Sequence, residues 1–261
     1  MDKGEPPTRA SLFVTCIVDQ LYPEVGESTV RVLRRLGVDV DFPEDQTCCG
    51  QPAFNSGYWS DAKPLARRFL RAFRDSRYIV SPSGSCATMV KVYYPELFAD
   101  EPALLEQARA ISQRVFELSE FLVDVLGVES VPAPANGPDA APRKVTYHES
   151  CHLRRELGVT KPPRTLIASV PGVELVEMEQ SEVCCGFGGT FAVKYADISG
   201  AMLQDKIDNI RRSGADAVLS CDSSCLMHIA GGLEKQGSHV RAIHLAELLD
   251  RGFSSEAGGK Q

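Results

Sequence analysis

Val38-Asp-Val-Asp-Phe-Pro-Glu-Asp-Gln-Thr-Cys-Cys-Gly50 reads as a strand, Val38 to Phe42, that leads into a vicinal cysteine pair followed by glycine. The same device returns as Val183-Cys-Cys-Gly186. Working outward, a lone cysteine precedes each pair, Cys16 by 32 residues and Cys151 by 33. A further cysteine follows each pair: Cys86 comes 37 residues after Cys49, and Cys225 comes 40 after Cys185. Cys221 is an extra thiol in the second set; by spacing it matches Cys86 better, whereas by flanking sequence (Ser85-Cys86, Ser224-Cys225) Cys225 does. Cys225 is therefore the preferred member, with Cys221 left open. The repeat ends also agree, Phe116-Glu-Leu-Ser-Glu-Phe-Leu122 against Ile243-His-Leu-Ala-Glu-Leu-Leu249. A shared period of about 135 residues reads as a duplicated unit.

Each copy alternates short apolar runs with helical patterns. Ser11 to Thr15 reads as a strand ending at Cys16, residues 24–36 as a helix, and Tyr78 to Val80 as a third strand running to Cys86. Between them Tyr58, Ala62, Leu65, Phe69 and Phe73 recur at helical spacing. The matching strands of copy two are Lys144 to His148, Val173 to Met178 and Ala217 to Ser220. Helices between strands imply parallel sheets with right-handed crossovers. The expectation is an α/β protein of two tandem Rossmann-like repeats, residues 1–130 and 144–261. The Pro/Ala-rich stretch Val131-Pro-Ala-Pro-Ala-Asn-Gly-Pro-Asp-Ala-Ala-Pro142 serves as a linker over 131–143. In such sheets sites form at the carboxyl ends of strands, where all the cysteine groups fall in this reading.

Composition narrows the chemistry. The 261 residues are 43% hydrophobic and 24% charged, ordinary for a folded globular chain, and the net charge of −7 argues against a nucleic-acid or anionic-membrane surface. No apolar run approaches the roughly 18–20 residues a membrane-spanning helix needs. The start, Met1-Asp-Lys-Gly-Glu-Pro-Pro-Thr-Arg-Ala10, lacks a signal peptide's apolar core, so the expected compartment is the reducing cytoplasm. There, nine cysteines at ordered spacings point to metal or redox ligands.

Structural zinc sites favour paired Cys-x-x-Cys or Cys/His knuckles, and neither set contains a clean one. All five histidines lie in the second half, so the first site must rest on cysteine. Four thiolates around a vicinal pair (Cys16, Cys48, Cys49, Cys86; then Cys151, Cys184, Cys185, Cys225) suit an iron–sulfur cluster better. Two clusters, one [4Fe-4S] per repeat, are expected. Zinc, a metal-free thiol–disulfide couple, and plain buried cysteines are the competing readings. Gly50 and Gly186 leave room for close backbone approach and for N–H groups aimed at sulfur. His148 and His152 flank Cys151, and His228 follows Cys225 by three residues; all three are candidates to support the second centre from outside its ligand shell. Gly186-Phe-Gly-Gly189 lacks the full dinucleotide fingerprint and a Walker lysine, and no flavin or nicotinamide motif stands out.

Phe13-Val-Thr-Cys-Ile-Val-Asp19, Leu21-Tyr-Pro-Glu-Val-Gly26, Gln46-Thr-Cys-Cys-Gly-Gln-Pro-Ala53, Ser81-Pro-Ser-Gly-Ser-Cys86, Tyr147-His-Glu-Ser-Cys-His-Leu153, Cys184-Cys-Gly-Phe-Gly-Gly-Thr190 and Ser224-Cys-Leu-Met-His228 run nearly from end to end of the chain. Together they resemble the cysteine-rich CCG domain family, which includes the CCG-bearing component of heterodisulfide reductase and the iron–sulfur subunits of glycolate and glycerol-3-phosphate oxidation. The similarity is greatest to the lactate-utilisation protein A family. That resemblance implies an iron–sulfur electron-transfer subunit for L-lactate oxidation, working in the cytoplasm with a ferredoxin-type iron–sulfur subunit and a third small subunit. The chain departs from the broader pattern, which ends in Cys-x-x-Cys: Ser83 and Asp222 stand where the first of those thiols would be. A labile ligand such as Ser83 or Asp222 would favour the alternative, a catalytic subunit that uses an open-site cluster in heterodisulfide-reductase-like or 2-hydroxy-acid redox chemistry.

Overall fold

The computed structural model describes residues 8–132 and 143–251. It contains two four-stranded, all-parallel sheets of identical order. The first is built from β1 (Arg9–Leu12), β2 (Asp39–Asp41), β3 (Ile79–Ser81) and β4 (Val115–Glu117), in the order β2-β1-β3-β4. The second comprises β5 (Arg143–Tyr147), β6 (Val173–Leu175), β7 (Ala217–Ser220) and β8 (Arg241–His244), in the order β6-β5-β7-β8. The expected α/β class with parallel sheets is what the chain adopts. The central strands β3 and β7 are buried on both faces, which is why they read as unbroken apolar runs rather than alternating ones.

Two strands leave no periodic signal in the sequence. β4 and β8 are only three and four residues long and lead directly into helices, Leu118–Glu120 and Leu245–Arg251. The repeat-end likeness over Phe116–Leu122 and Ile243–Leu249 is the trace they leave. Residues 133–142, most of the expected linker, lie outside the described residues.

The helix Pro23–Arg35 starts with proline at its first position, where the missing N–H costs nothing, and ends on Arg34 and Arg35, complementing the helix dipole. The helix Trp59–Ala72 buries Ala62, Ala66, Phe69 and Leu70 along one stripe. Its counterpart in the second repeat is Ala196–Arg212.

The repeats brace each other reciprocally. The final helix of the second, Leu245–Arg251, packs on Pro23–Arg35 of the first, and the helix Lys161–Ala168 packs on Leu118–Glu120 and the π-helical turn Phe121–Val125. One apolar core therefore runs through both halves, from Val25, Val32 and Leu33 to Leu166, Leu245 and Leu249. The buried Asp250 carboxylate fastens the edge of this seam, accepting from Arg31 at 2.6 Å and Arg35 at 2.9 Å. Each half keeps a second cluster of its own: an aromatic one around Phe13, Phe69 and Phe73, and an aliphatic one around Ile207, Ile210 and Ile229.

Candidate metal centre

Strand order delivers the cysteines. Cys16 opens the helix Cys16–Leu21 just after β1, the Cys48–Cys49 pair follows β2, and Cys86 sits in the first turn of the helix Gly84–Thr88 after β3. Cys151, Cys184–Cys185 and Cys225 occupy the same three places after β5, β6 and β7. The β-bridge Ser83↔Asp222 fixes the correspondence, because each residue is the N-cap of the helix that carries Cys86 or Cys225. All nine cysteines are free thiols.

Within the first set the Cys16 and Cys48 sulfurs are 3.7 Å apart, and those of Cys49 and Cys86 3.4 Å. In the second, Cys184 hydrogen-bonds with the Cys151 and Cys185 thiols, and Cys185 with Cys225. Both sets face one cavity of about 100 Å³, lined by these eight cysteines together with Ser83, Asp222 and His152. The two thiol sets therefore share a single chamber between the repeats.

Glycine is required at the pairs. Gly50 and Gly186 adopt φ of +86° and +89°, and each N–H points back at the first sulfur of its pair, 3.4 Å from Cys48 and from Cys184. A Cβ at Gly186 would meet the Ser199 carbonyl oxygen at 2.7 Å. Cys48 is held as a thiolate more readily than an ordinary thiol: it accepts from the Cys16 thiol, from Cys49 and from the Gly50 N–H, against the opposing cost of burial. Cys184 is stabilised as thiolate in the same way by Cys151, Cys185 and the Gly186 N–H.

The four-thiol sets match what a cluster asks of its protein: soft donors converging from separate loops, backed by backbone N–H groups. The sulfur–sulfur spacings of 3.4 and 3.7 Å also suit one tetrahedral ion, whose edge is about 3.8 Å when metal–sulfur bonds are about 2.3 Å.

The other candidates scatter. Cys221 is not in the group: it is fully buried in the shared core, with the Tyr147 hydroxyl 3.5 Å away. By the Ser83–Asp222 correspondence it is the counterpart of Pro82, which accounts for its position one residue ahead of the helix cap. Ser83 and Asp222 line the chamber, but their side chains are engaged as caps. Asp222 accepts from the Ser224 N–H at 3.1 Å and, across the seam, from the Ser85 N–H at 2.8 Å; Ser83 Oγ accepts from the Cys86 N–H at 3.3 Å.

His152 lines the chamber with Nδ1 3.7 Å from the Cys151 sulfur. His228 is half-buried, its Nε2 3.3 Å from Ser199 Oγ, which itself donates to the Gly186 carbonyl at 2.8 Å. His148 is fully buried behind the pair, its ring nitrogen within 4.8 Å of both the Cys185 and the Cys225 sulfurs. Burial, and then the nearby Lys206 charge, push its pKa down to about 3. Lys206 belongs to none of the sequence motifs. It is buried in the middle of the helix Ala196–Arg212, donating to the carbonyls of Gln180 at 2.7 Å and Ser181 at 3.2 Å. A lysine at a core position of an amphipathic helix is the sequence signal that marks it.

The chain matches the cysteine-rich domain family twice, over residues 10–91 and 145–230, so each match spans one cysteine set. It is 46% identical to lactate utilization protein A of Bacillus subtilis (strain 168) over 242 residues, 93% of this chain and 99% of that one. Lactate utilization protein A of Geobacillus kaustophilus (strain HTA426) is 47% identical over 93% of this chain and 98% of its own. In fold the chain resembles the crystal structure of a hypothetical protein from Helicobacter pylori, with a TM-score of 0.59 at 10% identity, over 96% of this chain and 50% of that one. No helix among the described residues is long and apolar enough to cross a membrane.

Proposed function

The chain belongs to the cysteine-rich domain family represented by lactate utilization protein A, and on that premise we propose that it is the iron–sulfur electron-transfer subunit of a cytoplasmic complex that oxidises L-lactate. One observation carries this reading: eight thiols stand in two equivalent sets of four around a single chamber. Cys16, Cys48, Cys49 and Cys86 hold one centre, and Cys151, Cys184, Cys185 and Cys225 the other. Iron–sulfur clusters held there, one of [4Fe-4S] type in each set, take up and pass on single electrons. Gly50 and Gly186 aim their N–H groups at sulfur and so favour the electron-rich state. Converting lactate to pyruvate releases two electrons and two protons, so a relay needs the substrate-oxidising chemistry to be completed with partner subunits. The partners in this reading are a ferredoxin-type iron–sulfur subunit and a third small subunit.

A second reading, in which this chain is itself catalytic, is favoured by the chamber. His152 and the caps Ser83 and Asp222 bring polar side chains to its wall beside both thiol sets. The test is anaerobic purification with iron and acid-labile sulfide counts, followed by L-lactate-dependent dye reduction. The relay predicts about eight irons per chain, no turnover by the isolated chain, and loss of turnover when it is left out of the complex. Robust turnover by the chain alone makes it the catalytic subunit, and stoichiometric zinc without sulfide removes the cluster reading.

A further inference from the structure

The two thiol sets are equivalent, but what stands behind them is not. Three residues before Cys16, at the end of β1, the first repeat places Phe13; three before Cys151, at the end of β5, the second places His148. Gly50 packs on Ala62 and Gly186 on Ser199, so the residues seven further along those helices also correspond, namely Phe69 and Lys206. In the first repeat Phe13 and Phe69 form an edge-to-face pair with centroids 4.8 Å apart, in the apolar cluster that includes Cys49 and Cys86. In the second, an imidazole and an ammonium replace both rings behind Cys185 and Cys225.

Burying that imidazole is costly unless both nitrogens are satisfied. Neither Nδ1 nor Nε2 of His148 has a hydrogen-bond partner, and the ring is fully buried. One flank faces the Cys185 and Cys225 sulfurs within 4.8 Å. On another the Ser181 carbonyl approaches without reaching hydrogen-bond geometry, held in place by the Lys206 ammonium and the Glu149 N–H. This is the environment of a ligating histidine, in which one nitrogen meets the metal and the other orients itself on a backbone carbonyl.

We propose that His148 is a fifth protein ligand, through nitrogen, to the metal centre of the second repeat, additional to its four thiols, giving it a mixed thiolate–imidazole shell while the first centre is held by thiolates alone. The proposal rests on the reading that the thiol sets hold iron–sulfur clusters. The Lys206 charge beside the second thiol set, where the first has Phe69, would favour the reduced state of a centre held there.

The experiment is pulsed electron–nuclear double resonance on the reduced, cluster-loaded protein grown with ring-labelled nitrogen-15 histidine. The expected result is a strong nitrogen coupling that changes with the isotope. It persists in His152→Ala and His228→Ala and is lost in His148→Phe, the residue type of the first repeat. One of two midpoint potentials shifts in that last variant and the other stays. Iron and sulfide are kept in His148→Phe, because the four thiols remain, so the lost coupling reports the ligand and not a lost cluster. Iron and sulfide present without histidine coupling in the parent protein overturns the proposal, as does a coupling that disappears with His152 or His228. Zinc without sulfide defeats the underlying cluster reading instead. The nitrogen shell is then sought by absorption at the zinc edge, at about 2.0–2.1 Å against about 2.3 Å for sulfur, and its absence there overturns the ligand assignment too.

Discussion

The Cys221 sulfur stands 3.5 Å from the Tyr147 hydroxyl, in the core shared by the two repeats, while the other eight cysteines line the chamber. Burial drives its thiol well above the ordinary range, so it stays protonated. Glu117 and Ser119, at the far end of the first sheet, reach the same thiol. It fills part of the seam between the repeats.

Cys221→Ala should leave iron content unchanged and cost about 1–2 kcal/mol, from a small cavity and a lost partner for Tyr147. Cys225→Ala should lose about half the iron. Parallel iron analysis and urea unfolding of the two variants separate a packing thiol from a ligand.

Gly186→Ala should damage the second centre more than Gly50→Ala damages the first. Both positions need φ near +90°, a strain of about 1–2 kcal/mol for alanine. At Gly50 the nearest atom to a new Cβ is the Ala62 carbonyl oxygen at 3.4 Å, ordinary contact, whereas at Gly186 the Ser199 oxygen lies at 2.7 Å and must be displaced. Iron loss and a lower Tm should be larger for Gly186→Ala.

Asp222 caps two helices at once, its own through the Ser224 N–H and the opposing one through Ser85. Asp222→Ala should cost about 2–3 kcal/mol, one cap on each side. Asp222→Ser restores the local cap that Ser83 makes in the other repeat, and should recover about half the loss in denaturant titrations.

Glu117 is fully buried, and burial lifts its pKa from 4.5 to about 7, partly offset by hydrogen bonds from Ser119. Glu120, Cys221 and Tyr147 are the titratable groups around it. The folded state holds this proton more tightly than the unfolded one, so stability declines as pH rises from about 4.5 to 7 and is level above that. A rise of that size corresponds to about 3 kcal/mol. Glu117→Gln should flatten this portion of the stability–pH curve, measured by urea unfolding of both proteins in the same metal state. An unchanged slope would show that Glu117 is ionised in the fold.

Much of this architecture is legible in the cysteine spacing. Duplication, strand-end placement and parallel sheets follow from the two Cys-Cys-Gly segments and the apolar runs that enter them. What stays hidden depends on contacts between distant residues. The Cys221–Cys225 ambiguity arises because copy two is three residues longer between its pair and its final cysteine, so counting from the pair points to the wrong neighbour. The flanking Ser85-Cys86 and Ser224-Cys225 point to Cys225, and the pairing of Ser83 with Asp222 sets the same register. β4 and β8 run straight into the helices Leu118–Glu120 and Leu245–Arg251, so their apolar residues merge with the helical pattern. Lys206 is hidden because a helical stripe is read by its apolar members, and its partners are loop carbonyls 25 and 26 residues away.

The Ser83–Asp222 bridge sits where the two halves meet their own equivalents. In an assembly of separate, identical chains, a residue on such an axis faces only itself, serine against serine or aspartate against aspartate, and two buried carboxylates there would repel. Covalent fusion lifts that restriction. A donor can stand opposite an acceptor, and a phenylalanine in one half can answer to a histidine in the other. The tandem chain thus converts a pair of sites that would be identical into two that selection can adjust one at a time.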